Sequence, residues 1–119
     1  MNVLFVAIGG FFGAILRFYV GQQLNKPNKQ QFWGTMLANV LGSSLLALLF
    51  LMLERSVIST HLWALLGIGF CGAFTTFSTF SMEAVSMIQN RHYLSAVRYV
   101  SFSFLLSIVS MSLILWIGL

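Results

Sequence analysis

Four apolar stretches, each about as long as a helix needs to cross a bilayer, make up most of this chain. They run from Val3 to Leu24, Phe32 to Leu53, Leu62 to Gln89 and Leu94 to Gly118. A helix of about twenty apolar residues spans a hydrocarbon core about 30 Å thick. The 119 residues are 59% hydrophobic and only 7% charged, so a water-soluble domain would lack a polar coat. The sequence therefore predicts an all-α membrane protein with a single four-helix transmembrane domain over residues 1–119.

The connectors between these stretches predict the topology. Gly21 to Gln31 is a polar connector, whereas Glu54 to His61 and Asn90 to Tyr93 are short. Short connectors join antiparallel neighbours, so the chain is expected to run up-down-up-down with both termini on one side. No basic segment precedes the first stretch and no small-residue cleavage site follows it, so we interpret it as a retained span and not a signal peptide.

The basic residues are divided unevenly between the two sides of the predicted bundle. Four lie on the side of the first and third connectors and one on the side of the termini: Lys26, Lys29, Arg91 and Arg98 against Arg55. Taken alone, the positive-inside rule places both termini outside. The six basic residues are scattered, whereas a nucleic-acid surface needs them clustered, so a nucleic-acid partner is excluded.

The third stretch contains the most unusual segment, GFCGAFTTFSTFSME from Gly69 to Glu83, which is rich in glycines and hydroxyls. One straight helix over the whole stretch would reach about 42 Å, well beyond the hydrocarbon thickness. A straight, tilted helix whose last turns protrude into water is an alternative that length leaves open. Hydroxyl-rich backbone survives at membrane depth only where protein or water covers it. We therefore predict a break between Gly72 and Thr79 beside a polar path.

Two other stretches carry polar stripes with helical spacing. The residues recur at intervals of four and so share one face in each helix: Thr35, Asn39 and Ser43 in the second stretch, and Tyr99, Ser103 and Ser107 in the fourth. The Asn39 amide is consistent either with bonding between helices or with donation to an anion, and both interpretations stay open. The serines either bond back to their own helix turn or join a shared polar path.

The first stretch places Gly9, Gly13, Arg17 and Gly21 on one face, which favours close packing against another helix. Arg17 either extends from the helix end toward water or lines an anion entrance. The single cysteine, Cys71, has no partner for an internal disulfide, and its position in the third stretch favours a packing role.

In the third stretch Phe77 and Phe80 are three residues apart, as are Thr76 and Thr79, with Glu83 four residues further on. Phenylalanines with this spacing usually belong to a core. Their ring edges carry the positive end of the ring quadrupole, so a partly dehydrated anion can also rest against them. Glu83 is equally consistent with a helix-end position and with a functional one.

Three segments resemble the CrcB/Fluc family of small bacterial fluoride channels. They are GGFFGAILRF, GTMLANVLGS and GFCGAFTTFSTF, from Gly9 to Phe18, Gly34 to Ser43 and Gly69 to Phe80. Their order and the four-span length also match, so the resemblance covers nearly the whole chain. TTFSTF in a broken third span is the most specific of these features.

The resemblance implies an antiparallel, dual-topology dimer in a bacterial inner membrane, with two fluoride pathways that carry cytoplasmic fluoride outward passively and lower its toxicity. It also implies a central structural sodium ion held by the backbone carbonyls of Gly72 and Thr75. The pathway residues that it implies are the ring edges of Phe77 and Phe80, the Asn39 amide and the hydroxyls of Ser78, Thr79, Tyr99, Ser103 and Ser107. Arg17 and Glu83 match vestibule or track positions.

The partner implied by the resemblance is a second copy of the chain, with membrane lipid around it. A homodimer that inserts in both orientations should have nearly balanced basic residues, whereas the four-to-one ratio favours a fixed orientation. A heterodimer with an oppositely oriented homologue is therefore the alternative to the homodimer.

Two other functions are alternatives, neither of them enzymatic. A small proton-coupled multidrug transporter also has four spans but needs a carboxylate in the first span, which this chain lacks. A membrane scaffold without transport would use the glycines and hydroxyls only for helix packing.

Overall fold

The structure, a computed structural model, describes residues 2–118 of the chain. Its long helices include α1 (Asn2–Leu24), α2 (Trp33–Glu54) and α6 (Tyr93–Gly118). Together with the region Thr60–Gln89 they form four helices long and apolar enough to cross a membrane. The predicted boundaries agree with these to within two residues. The described residues are thus mostly helical, with the four long apolar helices expected from hydropathy for a small all-α membrane protein.

The third span consists of two helical segments. The first segment, residues 60–74, joins α3 (Thr60–Trp63), a π-helical stretch (Ala64–Cys71) and α4 (Gly72–Phe74). Thr75 is extended, with φ −87° and ψ 157°, and the second segment, α5, covers Ser78–Gln89. The interruption falls inside the predicted range of residues 72–79, and the alternative of an unbroken helix is wrong.

Glycines bring α1 into backbone contact with the first segment. A Cβ atom at Gly9 would overlap the carbonyl oxygen of Leu65, and one at Gly13 would overlap that of Phe70. Only residues without a side chain permit this approach, so the predicted packing role of the glycine face is confirmed. Cys71 is almost fully buried near this contact, with 1% of its surface exposed, in agreement with its predicted packing role.

The first connector forms a small hairpin that the sequence did not predict. Strand β1 (Asn25–Lys26) pairs antiparallel with β2 (Gln31–Phe32), and Asn25 lies opposite Phe32. A 3₁₀ turn (Pro27–Lys29) joins the strands, because Pro27 has the φ angle that a first turn requires. Strands of two residues are too short to show an alternating pattern, so only a polar connector could be predicted.

The two short connectors begin with the same helix-ending geometry. Ser56 and Arg91 adopt left-handed conformations, with φ 58° and φ 62°. After α2, Val57 N donates to Met52 O at 2.8 Å, and after α5, His92 N donates to Met87 O at 2.8 Å. These bonds close a Schellman turn at each helix end, which ends the helix sharply and permits the antiparallel return.

A small core joins α5, α6 and the hairpin. Its buried members are Phe32, Phe80, Met87, Ala96 and Tyr99. Much of the apolar surface elsewhere faces outward, as expected for helices surrounded by lipid or by a second chain. The core positions Phe80 and Tyr99 beside the polar residues described next.

Candidate functional site

Asn39 bonds to the backbone of the break from the middle of α2. Its Nδ2 donates to Thr76 O at 2.9 Å, and Thr76 N donates to Asn39 Oδ1 at 2.7 Å. One side-chain amide therefore replaces both helical hydrogen bonds that the break removes from Thr76. Of the two interpretations left open by the sequence, the structure shows bonding between helices, while Asn39 also lines a cavity described below.

The break also removes the helical donors of two carbonyl groups. In a continuous helix Thr76 N would donate to Gly72 O, but it donates to Asn39 instead. Thr79 N, the corresponding donor for Thr75 O, donates to Thr76 Oγ1 at 3.3 Å. The Thr75 hydroxyl uses its hydrogen in a bond to Cys71 O at 2.9 Å. The break thus leaves the main-chain carbonyls of Gly72 and Thr75 without their helical donors, and carbonyl oxygens suit a hard cation.

A cavity of about 360 Å³ opens beside the break and brings together residues of α2, α6 and both segments of the third span. It is lined by Asn39, Ser43, Gly72, Thr75, Thr76, Phe77, Phe80, Ser103, Phe104 and Ser107. Space around Gly72 is open, since an added Cβ would meet nothing within 4 Å. We call this cavity the phenylalanine cleft. It unites most of the predicted pathway residues and adds Phe104, which the sequence analysis missed.

Aromatic rings form one side of the phenylalanine cleft. The ring centroids of Phe77 and Phe80 lie 6.1 Å apart, and Phe104 meets Phe80 nearly perpendicular, at 5.7 Å and 87°. Phe80 is buried, whereas 72% of Phe77 is exposed. The two phenylalanines predicted to share a face therefore do lie together, with one fixed in the core and the other on the open side.

The serines of the cleft differ from serines that bond within their own helix. Ser44 of α2 donates to Val40 O at 2.8 Å and so bonds back to its own turn. Ser103 Oγ is buried and has no hydrogen-bond partner among residues 2–118. Ser107 lines the same cleft one turn further along α6. The hydroxyl of Ser103 can consequently form a hydrogen bond to an ion or a polar ligand in the cleft.

A second polar cluster surrounds Glu83 and includes Tyr99, whose ring centroid lies 5.1 Å from that of Phe80. Tyr99 Oη donates to Glu83 Oε1 at 2.8 Å, and Thr35 Oγ1 donates to Glu83 Oε2 at 3.1 Å. Asn25 Nδ2 lies 3.4 Å from Glu83 Oε2. Thr35 and Tyr99 are buried, with 5% and 2% of their surfaces exposed. Glu83 is therefore not a solvated helix-end residue, and three elements supply donors to its carboxylate.

A larger cavity of about 410 Å³ adjoins this cluster. It is lined by Arg17, Phe18, Gly21, Gln22, Asn25, Pro27, Thr35, Thr76 and Thr79. Arg17 Nε is buried without a hydrogen-bond partner in the described part of the chain. Arg17 therefore lines this cavity, and its role as an anion entrance stays a prediction. Ser78, by contrast, is exposed beside Thr76, with 3.5 Å between their hydroxyl oxygens, and lines neither of these two cavities.

Asn25 is not among the predicted site residues, although one signal in the sequence points to its connector. Phe32, the residue before α2, has no side-chain oxygen to cap the helix, and it makes no such bond. The unpaired amide groups at a helix start need acceptors, so another residue must supply one. Asn25 Oδ1 accepts from Thr35 N at 3.1 Å.

Comparison with known proteins finds relatives that match over most of the chain. A family profile described as CrcB-like protein, Camphor Resistance (CrcB), matches residues 4–119. The fluoride-specific ion channel FluC 2 of Bacillus thuringiensis subsp. konkukian is 41% identical over 110 residues, which cover 92% of this chain and 90% of the relative. The fluoride-specific ion channel FluC of Pseudoalteromonas translucida is 35% identical over 116 residues, covering 96% and 93%.

A third relative, the fluoride-specific ion channel FluC of Shewanella baltica, is 43% identical over 96 residues, which cover 80% of this chain and 77% of the relative. The profile match and the three relatives each extend over most of the chain and confirm the resemblance carried by its glycine and TTFSTF segments. This multi-pass membrane protein therefore belongs to the CrcB family.

Proposed function

We propose that this chain forms a passive ion channel selective for fluoride. The relatives that it matches are named fluoride-specific ion channels. The observation that carries the proposal is the phenylalanine cleft, where a buried hydroxyl without a partner, from Ser103, lies beside the rings of Phe77 and Phe80. Fluoride is small and strongly hydrated, so a path for it must supply donors that replace water.

The donors of the proposed path are neutral, which suits rapid passage. Ser43, Ser103 and Ser107 offer hydroxyls in the cleft, and the second N–H of the Asn39 amide is available beside them. Ring edges of Phe77 and Phe80 add weak positive potential. A binding site that is favourable enough to admit an ion and weak enough to release it supports conduction. No enzymatic step is needed for this function.

We further propose that two antiparallel copies of the chain form a dimer, which contains two fluoride pathways. In one copy the cleft is open on the side of Phe77, which is 72% exposed, and of Gly72, where a Cβ would meet nothing within 4 Å. A second chain packed there would cover these groups and narrow the path. The uneven distribution of basic residues makes a heterodimer the alternative outcome of an assembly measurement.

The proposed sodium site lies at the same open face. The carbonyls of Gly72 and Thr75 lose their helical donors at the break, and carbonyl oxygens are suitable ligands for a sodium ion. Two chains meeting there would double the number of such carbonyls. When bound, the sodium ion would link the broken third spans of the two chains. Its role would therefore be structural.

Fluoride release from liposomes tests the proposed function. Liposomes that contain the purified protein and potassium fluoride should release fluoride once a potassium ionophore lets potassium leave with it, as measured with a fluoride electrode. Liposomes that contain potassium chloride should release little chloride, as measured with a chloride electrode. We expect Phe80→Ile to reduce fluoride release at least about tenfold while the dimer stays assembled, because the ring edge is lost.

The matched control is Phe102→Ile, which makes the same change on an exposed position of α6. It should conduct like the wild type. Equal release by both variants would contradict the assignment of the cleft as the pathway. A drug-dependent proton flux in place of fluoride release would instead support the transporter alternative, and no flux of either kind would support the scaffold.

Thr75→Val tests whether the sodium ligand is a backbone carbonyl. The substitution removes the hydroxyl that donates to Cys71 O and retains both the main-chain carbonyl and the methyl group that packs against Gly42. We expect fluoride release to keep its dependence on sodium, measured after exchange of sodium for a large organic cation. Loss of that dependence would show that the hydroxyl, and not the carbonyl, is required.

A further inference from the structure

The amide of Asn25 is enclosed by the start of α2 and the end of α1. A Cβ added to Gly34 would lie 2.9 Å from Asn25 Oδ1, and one added to Gly21 would lie 3.5 Å from Asn25 Nδ2. Gly34 therefore leaves room for this side chain, while Gly21 lies at an ordinary contact distance from it. Contact with two helices fixes the position of the amide more firmly than that of an exposed loop residue.

Both ends of the enclosed amide are used. Oδ1 accepts from Thr35 N at 3.1 Å, while Nδ2 donates to Thr35 Oγ1 at 3.1 Å and approaches Glu83 Oε2 at 3.4 Å. Because Thr35 Oγ1 accepts from Asn25, its own hydrogen is directed to Glu83 Oε2 at 3.1 Å. A single amide thus sets the direction of the hydroxyl that donates to the carboxylate.

A second bond holds the same hairpin on the same helix. Ser86 Oγ of α5 donates to Gln30 Oε1 at 3.1 Å. Ser86 lies three residues after Glu83, so both contacts are on one face of α5. The hairpin is accordingly bonded to α5 at two places, one of them at the carboxylate beside the candidate pathway.

From this geometry we infer that Asn25 is a positioning residue of the channel, which orients Thr35 and Glu83 from the first connector. The inference rests on the proposed channel function. Asn25 does not need to contact the ion, because its effect passes through the Thr35 hydroxyl and the Glu83 carboxylate. Removing its donor leaves the carboxylate with Thr35 and Tyr99 as its remaining side-chain donors.

An exchange of amide and carboxylate tests the inference in fluoride-loaded liposomes. Asn25→Asp retains an acceptor for Thr35 N but places a second carboxyl group beside Glu83, so we expect fluoride release to fall about tenfold or more. Glu83→Gln should lower release comparably. The double variant again has one amide and one carboxylate in the pair, and its release should return to within about threefold of the wild type.

Asn28→Asp is the matched control, since it adds the same charge to an exposed position of the same hairpin. It should release fluoride at the wild-type rate. The inference is overturned if Asn25→Asp and Asn28→Asp behave alike, or if the double variant is no faster than the slower single variant. Wild-type protein that releases no fluoride would overturn the proposed function as well.

Assembly is measured for every variant by size-exclusion chromatography. If Asn25→Asp fails to assemble, Asn25→Ala and Asn28→Ala replace the aspartate pair, because alanine removes the bonds without adding charge. A slower assembled Asn25→Ala beside an unaffected Asn28→Ala supports the inference. Failure of both Asn25 variants and of the double variant to assemble would make Asn25 a helix cap alone and overturn it.

Discussion

The two segments of the third span are held in the molecule by different kinds of contact. Residues 60–74 pack backbone to backbone against α1 at Gly9 and Gly13, where a side chain has no room. In contrast, α5 is held by side chains, through Glu83 and the ring of Phe80. A backbone contact at glycines fixes the position of a helix but supplies no side chain that could bind an ion. Side-chain contacts supply polar groups, and their arrangement can bind an ion.

The break separates these two kinds of packing. Asn39 bonds to both backbone groups of Thr76 within the interruption, so the polar atoms released there are partly satisfied by protein. This permits an irregular segment inside a membrane-spanning region, where unsatisfied groups would be costly. Changes in the first segment should therefore impair folding, while changes around the second should impair conduction at smaller cost in stability.

The largest expected effect tests the backbone contact with α1. Gly9→Ala forces a Cβ into the Leu65 carbonyl, and main-chain atoms cannot move aside as a flexible side chain does. Because the overlap is with main-chain atoms, we expect a loss of more than about 3 kcal/mol in folding free energy, above the usual range for overpacking, and a lower yield of assembled protein. Thermal unfolding followed by size-exclusion chromatography in detergent measures both.

The neighbouring residue provides the control for this change. A Cβ at Gly10 would lie 3.7 Å from Gly69 O, an ordinary contact distance, so Gly10→Ala should unfold near the wild-type temperature. If Gly9→Ala were as stable as Gly10→Ala, the first segment would not depend on backbone contact. The proposed difference between the two segments would then be lost.

A smaller effect is expected for the bond between Tyr99 and Glu83. Tyr99→Phe removes the donor at 2.8 Å from Glu83 Oε1 and changes little else in volume. A hydrogen bond to a charged group contributes about 1.5–3 kcal/mol, so moderate destabilisation and slower fluoride release should appear together. Liposome release and thermal unfolding on the same preparation measure them.

Tyr93→Phe makes the same substitution at the start of α6, where Tyr93 is exposed. Neither conduction nor stability should change in this control. A Tyr99→Phe protein that unfolds earlier but conducts normally would assign the Glu83 cluster to stability alone, and the comparison between the segments would need to be revised.

The smallest effect on stability is expected for Ser103→Ala. Its hydroxyl is buried without a partner among the described residues, so removing it should leave the unfolding temperature unchanged or slightly raised. Fluoride release should nevertheless decrease several-fold if the hydroxyl replaces water around the ion. This would sharpen the comparison by separating conduction from stability at one atom.

Ser101→Ala on the exposed side of α6 serves as the reference for that measurement. Release and unfolding should both match the wild type. Unchanged release in Ser103→Ala would remove this hydroxyl from the proposed path, while leaving the aromatic part of the cleft to be tested through Phe80.

Much of the architecture could be predicted from the sequence because its signals are local. Hydropathy determined the number and length of the spans, since each must match the hydrocarbon thickness. The glycines of α1 and the hydroxyls after Gly72 indicated a packing face and a break by their spacing alone. The stripes of α2 and α6 also indicated which polar residues share a face, since helical periodicity is independent of tertiary packing.

Only the tertiary structure decided which partners these polar groups meet. Asn39 bonds to a backbone 37 residues away, and Asn25 meets Glu83 across 58 residues. Neither pairing could be predicted from the sequence, and the hairpin that carries Asn25 could not be predicted either. Such pairings depend on the rotation, depth and separation of several helices at once. Periodicity within one helix determines a face, whereas packing between helices determines what that face contacts.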